Sequence, residues 1–388
     1  MTFRFPLATI SWEQEELDAM QRVISSGRFT MGESVQSFEE SFAKYIESNY
    51  CVMVNSGSSA NLLMIASLFY VTDPKLKLKR GDEIIVPAVS WSTTYYPLYQ
   101  YGLKIKFVDI DLETLNYDLF QLQLAVTDRT RAILAVNLLG NPNDFSSINK
   151  MIGDRNILLL EDNCESMGAN FDGKKAGTFG VMGTFSSFFS HHISTMEGGL
   201  IVTDNEELYH ILLSLRAHGW TRNLPKHNHV CGIKSDDSFE ESYRFVLPGY
   251  NVRPLELEGA LGVQQVKRLP TLIQERRKNG QLLQECLGSH SEILIQKEIG
   301  ESSWFGFSLV IRRESCLTRV ELLTTLEKLG FECRPIVAGN FAKNEVTKYF
   351  DFEIHGHLSN AEHIDKFGLF IGNHHYPIPD AIDQLRRL

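Results

Sequence analysis

The chain has 388 residues, with 38 lysines and arginines against 48 aspartates and glutamates, and a formal net charge of -10 at pH 7. This length allows a large buried core and predicts two domains, and contents of 43% hydrophobic and 22% charged residues are typical of a globular protein. The acidic balance argues against a nucleic-acid partner, because binding to phosphate backbones favours a basic surface.

Short apolar runs alternate with helical patterns along the first half of the chain, which predicts an α/β fold around a largely parallel sheet. Several of the runs are continuously apolar, as in strands covered on both faces. We predict strands at residues 51–54, 83–86, 105–109, 132–137, 157–160, 183–188 and 200–203, with helices at 59–69 and 205–217.

The pattern changes to shorter mixed elements after Pro254, which we expect to open a long helix. We therefore predict a large α/β domain over residues 1–254 and a smaller α+β domain over residues 255–388. The polar stretch 223–245 is predicted to be a loop near the active site or a dimer interface.

The first residues, the lengths of the apolar stretches and the cysteines predict a cytoplasmic protein. Residues 1–12 have no apolar core of signal-peptide length, and apolar stretches such as 62–71 are too short to span a membrane. The six cysteines include no Cys-x-x-Cys or Cys-x-Cys pair. We expect reduced thiols, no iron–sulfur cluster, no metal and no membrane partner.

Three segments that follow predicted strands could bind a flat, phosphorylated ligand. Gly57, Ser58 and Ser59 open a helix, whose N-terminus suits a phosphate, although serines also serve as ordinary helix caps. Asp162 ends a buried strand and could pair with a cationic ring nitrogen, or could cap the next helix. Trp91 could stack on a ring or could pack in the core.

His191 and His192 are adjacent histidines in the segment after the strand at 183–188. A histidine suits proton transfer near neutrality, but it could also be a structural residue, and metal binding is disfavoured because no ligand partner has suitable spacing. A phosphate cradle, a stacking ring, a carboxylate and a base are together what pyridoxal phosphate (PLP) needs. No Gly-x-Gly-x-x-Gly follows an early strand, which disfavours a dinucleotide site.

Over essentially its whole length the chain resembles the nucleotide-sugar aminotransferases, a family of PLP enzymes. The resemblance implies the aspartate-aminotransferase type of fold (PLP fold type I) and a homodimer with shared active sites. The matching segments are Met31-Gly32-Glu33, Phe38-Glu39, Ser56-Gly57-Ser58, Phe107-Val108-Asp109-Ile110-Asp111, Glu161-Asp162, Glu197-Gly198-Gly199 and Gly249-Tyr250-Asn251-Val252-Arg253.

The same resemblance implies roles for individual residues. Asp162 should pair with the ring nitrogen, and Trp91 should stack on the ring. The phosphate should be held by Ser186 with the segment Gly57, Ser58 and Ser59, and by Asn251 of the neighbouring subunit. Candidates for substrate contacts are Trp220, Arg222 and Arg253.

Two departures resemble the 3-dehydratase branch of this family. His191 stands six residues before Glu197, where the family has the lysine that holds PLP covalently. Glu165 stands where the family usually has glutamine or histidine, near the oxygen on the cofactor ring. The branch implies pyridoxamine phosphate (PMP) held without a covalent bond, L-glutamate as amino donor and GDP-4-keto-6-deoxymannose as substrate. His191 would move the protons that remove the 3-hydroxyl, giving GDP-4-keto-3,6-dideoxymannose on the route to colitose.

Three other functions stay open on sequence alone. The first is a PLP-dependent 4-aminotransferase like perosamine synthase, with Lys174 or Lys175 as the only nearby lysines. The second is a CDP-sugar 3-dehydrase, which the scattered cysteines disfavour because that class carries an iron–sulfur cluster. The third is a silent binding protein, which the presence of Asp162, Trp91 and Ser186 disfavours.

Overall fold

The structure, a computed structural model, describes residues 3–388. Its helices are α1 (Gln14–Ser26), α2 (Glu33–Ile46), α3 (Gly57–Ser67), α4 (Ser92–Gln100), α5 (Leu119–Ala125), α6 (Phe145–Ile152), α7 (Glu206–Arg216), α8 (Ser238–Glu241), α9 (Glu256–Leu287), α10 (Arg319–Lys328), α11 (Ser359–Phe367) and α12 (Pro379–Leu385). Short 3₁₀ helices cover Leu138–Gly140, Phe341–Lys343 and Glu345–Tyr349.

The strands form one large sheet, one smaller sheet and two short hairpins. They are β1 (Tyr50–Val54), β2 (Glu83–Pro87), β3 (Lys104–Val108), β4 (Thr130–Val136), β5 (Leu158–Asp162), β6 (Asn170–Phe171), β7 (Lys174–Lys175), β8 (Met182–Ser186), β9 (Gly199–Thr203), β10 (His227–Asn228), β11 (Gly232–Ile233), β12 (Ile293–Ile295), β13 (Gly306–Ile311), β14 (Cys333–Arg334), β15 (Phe352–Ile354) and β16 (Gly368–Gly372).

The large sheet has the strand order β1-β9-β8-β5-β4-β2-β3-β15. Five of its seven neighbouring pairs are parallel, and β9 runs antiparallel to both β1 and β8. All seven predicted strands are present within two residues of their predicted ends, which confirms the mostly parallel sheet. Every residue of β2, β5, β8 and β9 is buried, as expected for strands covered on both faces.

Two local predictions were wrong. The long helix α9 begins at Glu256, not at Pro254, because Leu255 is its N-cap and donates its N–H to the Glu258 carboxylate at 2.8 Å. The stretch 223–245 is not a plain loop. It contains the hairpin β10–β11 and the short helix α8, whose first turn is capped by Asp237.

The smaller sheet, β12-β13-β16-β14, lies wholly within residues 255–388 and packs on its own apolar cluster. One strand from the same range, β15, instead pairs with β3 at the edge of the large sheet. Lys106 on β3 fixes this edge, because its ammonium lies 2.8 Å from the carboxylates of both Glu83 and Glu353. The proposed domain boundary at residue 254 remains a prediction.

Over residues 3–388, no helix combines the length and apolar character needed to cross a membrane. All six cysteines are free thiols.

Candidate active site

A cavity of about 790 Å³ lies between the two sheets. The carboxyl ends of β4, β5 and β8 contribute Val136, Asp162 and Ser186 to its wall. The smaller sheet contributes Arg334 from β14 and Phe370 from β16. The cavity therefore lies where ligands bind in open α/β sheets, beyond the carboxyl ends of the strands.

Seven of the predicted site residues line this cavity, namely the catalytic candidate His191 and the cofactor-binding candidates Gly57, Ser58, Trp91, Asp162, Glu165 and Ser186. Five predicted residues do not line it, namely Ser59, Trp220, Arg222, Asn251 and Arg253.

Asp162 is buried and held in one orientation by three hydrogen bonds. Its Oδ2 accepts from the Asn61 amide and the Thr94 hydroxyl, each at 2.8 Å, and its Oδ1 accepts from the Cys164 N–H at 3.1 Å. The residues directly after β5 form turns and not a helix, so Asp162 does not cap one. A carboxylate whose two oxygens are held in this way suits a cationic partner in the cavity.

Gly57 allows helix α3 to begin directly against β8. A Cβ atom on Gly57 would lie 2.8 Å from the Ser186 Cβ and 2.9 Å from the Cys164 Sγ, closer than real contacts allow. The N–H groups of Gly57 and Ser58 belong to the first helical turn, which has no acceptors within the helix. This turn and the Ser186 hydroxyl together suit a bound anion.

The serines of α3 differ in their surroundings. Ser56 is the N-cap, and its Oγ accepts from the Ser59 N–H at 3.1 Å. The Ser59 hydroxyl donates to the Asn55 side chain at 2.7 Å, which turns it to a protein partner. Ser58 Oγ lies 2.8 Å from the Thr93 hydroxyl, and both residues line the cavity.

Trp91 is 58% exposed although its neighbours in the β2–α4 connection are mostly buried. It is the N-cap residue of α4 and makes no side-chain capping hydrogen bond. An exposed indole on a cavity wall offers a flat apolar face to a ligand, so Trp91 is not a packed core tryptophan.

His191 is half-buried on the segment after β8, and its Nδ1 is buried without a hydrogen-bond partner. The ring of Phe305 lies 5.0 Å from the imidazole, and that of Phe188 lies 5.9 Å away. Burial, together with the charge of Arg276, lowers the pKa of His191 to about 3. The imidazole is therefore neutral near pH 7 and can accept a proton.

The neighbouring histidine and the two nearby lysines do not line the cavity. His192 is buried outside the cavity, and its Nε2 lies 3.1 Å from the Ser303 carbonyl. Lys174 and Lys175 form β7, and Lys175 pairs with Glu47. Within residues 3–388, no lysine lines the cavity.

Glu165 accepts a hydrogen bond from the Leu139 N–H at 3.0 Å. Burial raises the pKa of Glu165 from 4.5 to about 7, with a further contribution from the nearby Asp162 carboxylate. Leu139 adopts a left-handed conformation, with φ 54° and ψ 26°, which directs its N–H to this acceptor. Glu165 thus titrates near neutrality.

The residues outside the cavity include a cationic and aromatic cluster. The Arg222 guanidinium lies 4.4 Å from the centre of the Trp220 ring, and that of Arg253 lies 5.7 Å away. Asn251 is exposed and accepts from the Arg253 Nε at 3.0 Å.

Several cavity residues carried no predicted role. Asn61 and Thr94 lie in segments whose neighbours were singled out, but only the fold shows that both reach Asp162. Phe305, Glu332 and Arg334 come from the C-terminal part of the chain, and no local pattern marks them.

Comparisons with known proteins agree with the predicted fold. The model of the DegT/DnrJ/EryC1/StrS aminotransferase family matches residues 11–384. The GDP-4-keto-6-deoxy-D-mannose 3-dehydratase of Yersinia pseudotuberculosis is 62% identical over 382 residues, which cover 98% of this chain and 97% of that protein.

Two solved structures are similarly close. The Escherichia coli GDP-4-keto-6-deoxy-D-mannose-3-dehydratase with bound hydrated PLP is 61% identical, with a TM-score of 0.98 over 100% of this chain and 99% of that one. A GDP-4-keto-6-deoxymannose-3-dehydratase with a trapped PLP-glutamate geminal diamine is 62% identical, with a TM-score of 0.97 over 99% of each chain. These matches confirm the predicted aminotransferase type of fold.

Glu165 predicts a specific dependence of stability on pH in the protein without ligand. Its raised pKa means that the folded state binds more protons than the unfolded state between about pH 4.5 and about pH 7, so stability falls as pH rises through this window. We expect Glu165→Gln to raise the melting temperature more at about pH 8 than at about pH 5. Thermal unfolding followed by circular dichroism checks this.

The matched control is Glu15→Gln, because Glu15 is exposed on α1. If Glu165→Gln raised the melting temperature equally at both pH values, the raised pKa of Glu165 would be contradicted.

Proposed function

This chain belongs to the DegT/DnrJ/EryC1/StrS aminotransferase family, and from that premise we propose that it is a PLP- and PMP-dependent 3-dehydratase of GDP-4-keto-6-deoxy-D-mannose. The observation that carries the proposal is His191. A neutral imidazole with a buried, unpartnered nitrogen lines the cavity where the family resemblance implies a lysine. The 62% identity to a 3-dehydratase over almost the whole chain supports it.

The proposed reaction replaces the C3 hydroxyl of the sugar by hydrogen and gives GDP-4-keto-3,6-dideoxymannose, on the route to colitose. L-Glutamate supplies the two electrons as it is oxidised to 2-oxoglutarate, and its nitrogen is released as ammonia. The oxygen lost from C3 balances the oxygen gained by 2-oxoglutarate. When bound, PMP would supply the amine that condenses with the C4 ketone and the ring that accepts electrons.

The cavity residues fit this cofactor. The anion site formed by Gly57, Ser58 and Ser186 would hold the phosphate, and the three hydrogen bonds to Asp162 orient its carboxylate toward a protonated ring nitrogen. The exposed face of Trp91 would cover the ring. A carboxylate beside the ring nitrogen favours the protonated form of that nitrogen, which is the role proposed for Asp162.

His191 is the proton carrier. Its neutral imidazole accepts a proton from the cofactor's C4′ carbon and then delivers it to the departing 3-hydroxyl oxygen. The rings of Phe305 and Phe188 restrict its orientation and keep water from its inner face.

Glu165 holds a second mobile proton. Because its pKa is about 7, part of the Glu165 population is a neutral acid at physiological pH. In this form Glu165 can donate a hydrogen bond to the oxygen on the cofactor ring. A glutamine in the same place is always neutral, so its hydrogen bonding could not change with pH.

The residues outside the cavity complete the site in a homodimer. Asn251, Arg253, Trp220 and Arg222 reach the partner's cavity, Asn251 toward the phosphate and the others toward the substrate. Support comes from the exposure of Asn251 and from the two guanidiniums beside the Trp220 ring, which suit a diphosphate and a nucleobase. The cytoplasmic location stays a prediction.

The runner-up is a nucleotide-sugar 4-aminotransferase like perosamine synthase. It needs a lysine in the cavity to take the cofactor back, and no lysine between residues 3 and 388 lines the wall.

Product analysis tests the proposed function directly. The protein is incubated with PLP, L-glutamate and GDP-4-keto-6-deoxymannose, and the products are identified by mass spectrometry. We expect a sugar nucleotide that has lost the C3 oxygen. We expect His191→Asn to form this product at least roughly a hundredfold more slowly than the wild-type protein. Binding of PMP and substrate by the His191→Asn protein is the control for folding.

A product that has gained an amine at C4 would instead establish the aminotransferase. An unchanged rate in His191→Asn would remove His191 from the mechanism.

Mixed dimers test whether the sites are shared between subunits. The variants His191→Asn and Asn251→Ala are each expected to be weakly active alone. A shared site predicts that mixing restores about one quarter of the wild-type activity, because half of the dimers are mixed and each has one intact site. Dehydration after unfolding and refolding equal amounts of both variants measures this.

Refolding each variant separately before mixing is the control. If activity stays at the level of the single variants while mixed dimers form, each site belongs to one chain and the shared-site arrangement is wrong.

A further inference from the structure

A buried guanidinium contacts the residue that packs on His191. It belongs to Arg276, which lies on α9 and is only 5% exposed. Its Nη1 donates to two carbonyl oxygens, those of Phe305 and Asn373, each at 2.9 Å. Its Nε is buried without a hydrogen-bond partner.

The charge of Arg276 has no counterion. Burial lowers the pKa of Arg276 to about 10, so the guanidinium stays protonated near pH 7. Its neighbour on α9, Arg277, lies 3.3 Å from the Glu301 carboxylate, whereas no carboxylate of residues 3–388 forms an ion pair with Arg276. Removing a charge from water without a counterion is costly, so this guanidinium calls for a role beyond packing.

Phe305 links Arg276 to the cavity. Its carbonyl accepts from Arg276, and its N–H donates to the Leu139 carbonyl at 3.0 Å. These bonds hold the peptide groups on both sides of Phe305, and its ring centre lies 5.0 Å from that of His191. Arg276 itself does not line the cavity, so it touches neither cofactor nor substrate there.

The charged and titratable groups around His191 come from several elements. Arg276 comes from α9, and His192 follows His191 in the chain. The groups that share the cavity with His191 are the side chains of Asp162, Cys164, Glu165, Glu197, Glu332 and Arg334. Burial and the charge of Arg276 lower the pKa of His191. The same two causes lower the pKa of His192 and leave that ring neutral near pH 7.

We infer that Arg276 is a positioning residue of the proposed dehydratase, which fixes Phe305 against His191 and places a permanent positive charge near the imidazole. This role rests on the proposed function. The charge disfavours the imidazolium that exists after His191 has taken the proton from the cofactor's C4′ carbon. The imidazolium is thus a stronger acid. It gives this proton to the 3-hydroxyl oxygen as the C3–O bond breaks, and water leaves with the electron pair of that bond.

Titration of the His191 ring in the full-length, PMP-loaded protein tests the inference by NMR. The 12 histidines are isotopically labelled at Cε1, and the signal that is absent from His191→Asn is assigned to His191. We expect the uncharged replacements Arg276→Gln and Arg276→Met to raise the pKa of His191 by about one pH unit or more. Arg276→Lys, which keeps the positive charge, should raise it less. Circular dichroism checks that each variant is folded.

The matched control is Arg277→Gln. Arg277 also lies on α9 and donates to carbonyl oxygens, those of Ser302 at 2.9 Å and Gly168 at 3.1 Å. It should leave the titration of His191 unchanged. The inference is overturned if the uncharged replacements of Arg276 leave the pKa of His191 unchanged, or if Arg276→Lys raises it as much as Arg276→Gln does.

The pH dependence of a single turnover separates this role from a merely structural one. Each PMP-loaded protein is mixed with GDP-4-keto-6-deoxymannose, and dehydration is followed from about pH 5 to about pH 8. We expect the decline in rate on the acid side to move about one pH unit to higher pH in Arg276→Gln. A rate lowered by the same factor at every pH would assign Arg276 to the support of the fold alone and overturn the inference.

Failure of the proposed function has a different outcome from failure of the role of Arg276. If the PMP-loaded wild-type protein does not dehydrate the sugar, the proposed function fails, whatever the titration of His191 shows. If the wild-type protein dehydrates the sugar and the pKa of His191 does not respond to Arg276→Gln, only the role of Arg276 is overturned.

Discussion

The cavity between the two sheets can hold a charged, flat ligand only through non-covalent contacts. Along residues 3–388, no lysine lines its wall, and the histidine there cannot form a Schiff base. Retention therefore depends on the oriented Asp162 carboxylate, the first turn of α3 and the indole of Trp91. The absence of a reclaiming amine also fits a reaction in which the nitrogen of the donor leaves as ammonia.

The same packing that shapes the cavity sets the state of its two proton carriers. Burial keeps His191 neutral, whereas burial and the Asp162 carboxylate bring the pKa of Glu165 close to 7. Burial disfavours the charged form of each group, so it makes one a base and the other an acid. Phe305, which directly precedes β13, lies against His191, and Arg334 on β14 also lines the cavity. Residues from both parts of the chain thus take part in the proposed chemistry.

Much of the large sheet and of the cavity could be predicted from the sequence, because buried strands are continuous apolar runs and Gly57 and Asp162 directly follow or end such strands. The strand β15 could not be predicted, because its three residues pair with β3, which is far away in the sequence. The ion pair between Glu353 and Lys106 also joins these two strands. Arg334 lies on a two-residue strand whose approach to the cavity depends on tertiary packing. The cluster of Trp220, Arg222 and Arg253 does not line the cavity of its own chain.

In the proposed dehydratase, the cofactor is held without a covalent bond to the protein. Reducing the PLP-loaded protein with borohydride, denaturing it and measuring the intact mass shows whether such a bond exists. We expect the mass of the bare chain, because His191 forms no reducible link. A chain heavier by one phosphopyridoxyl group, carried on a lysine, would contradict it.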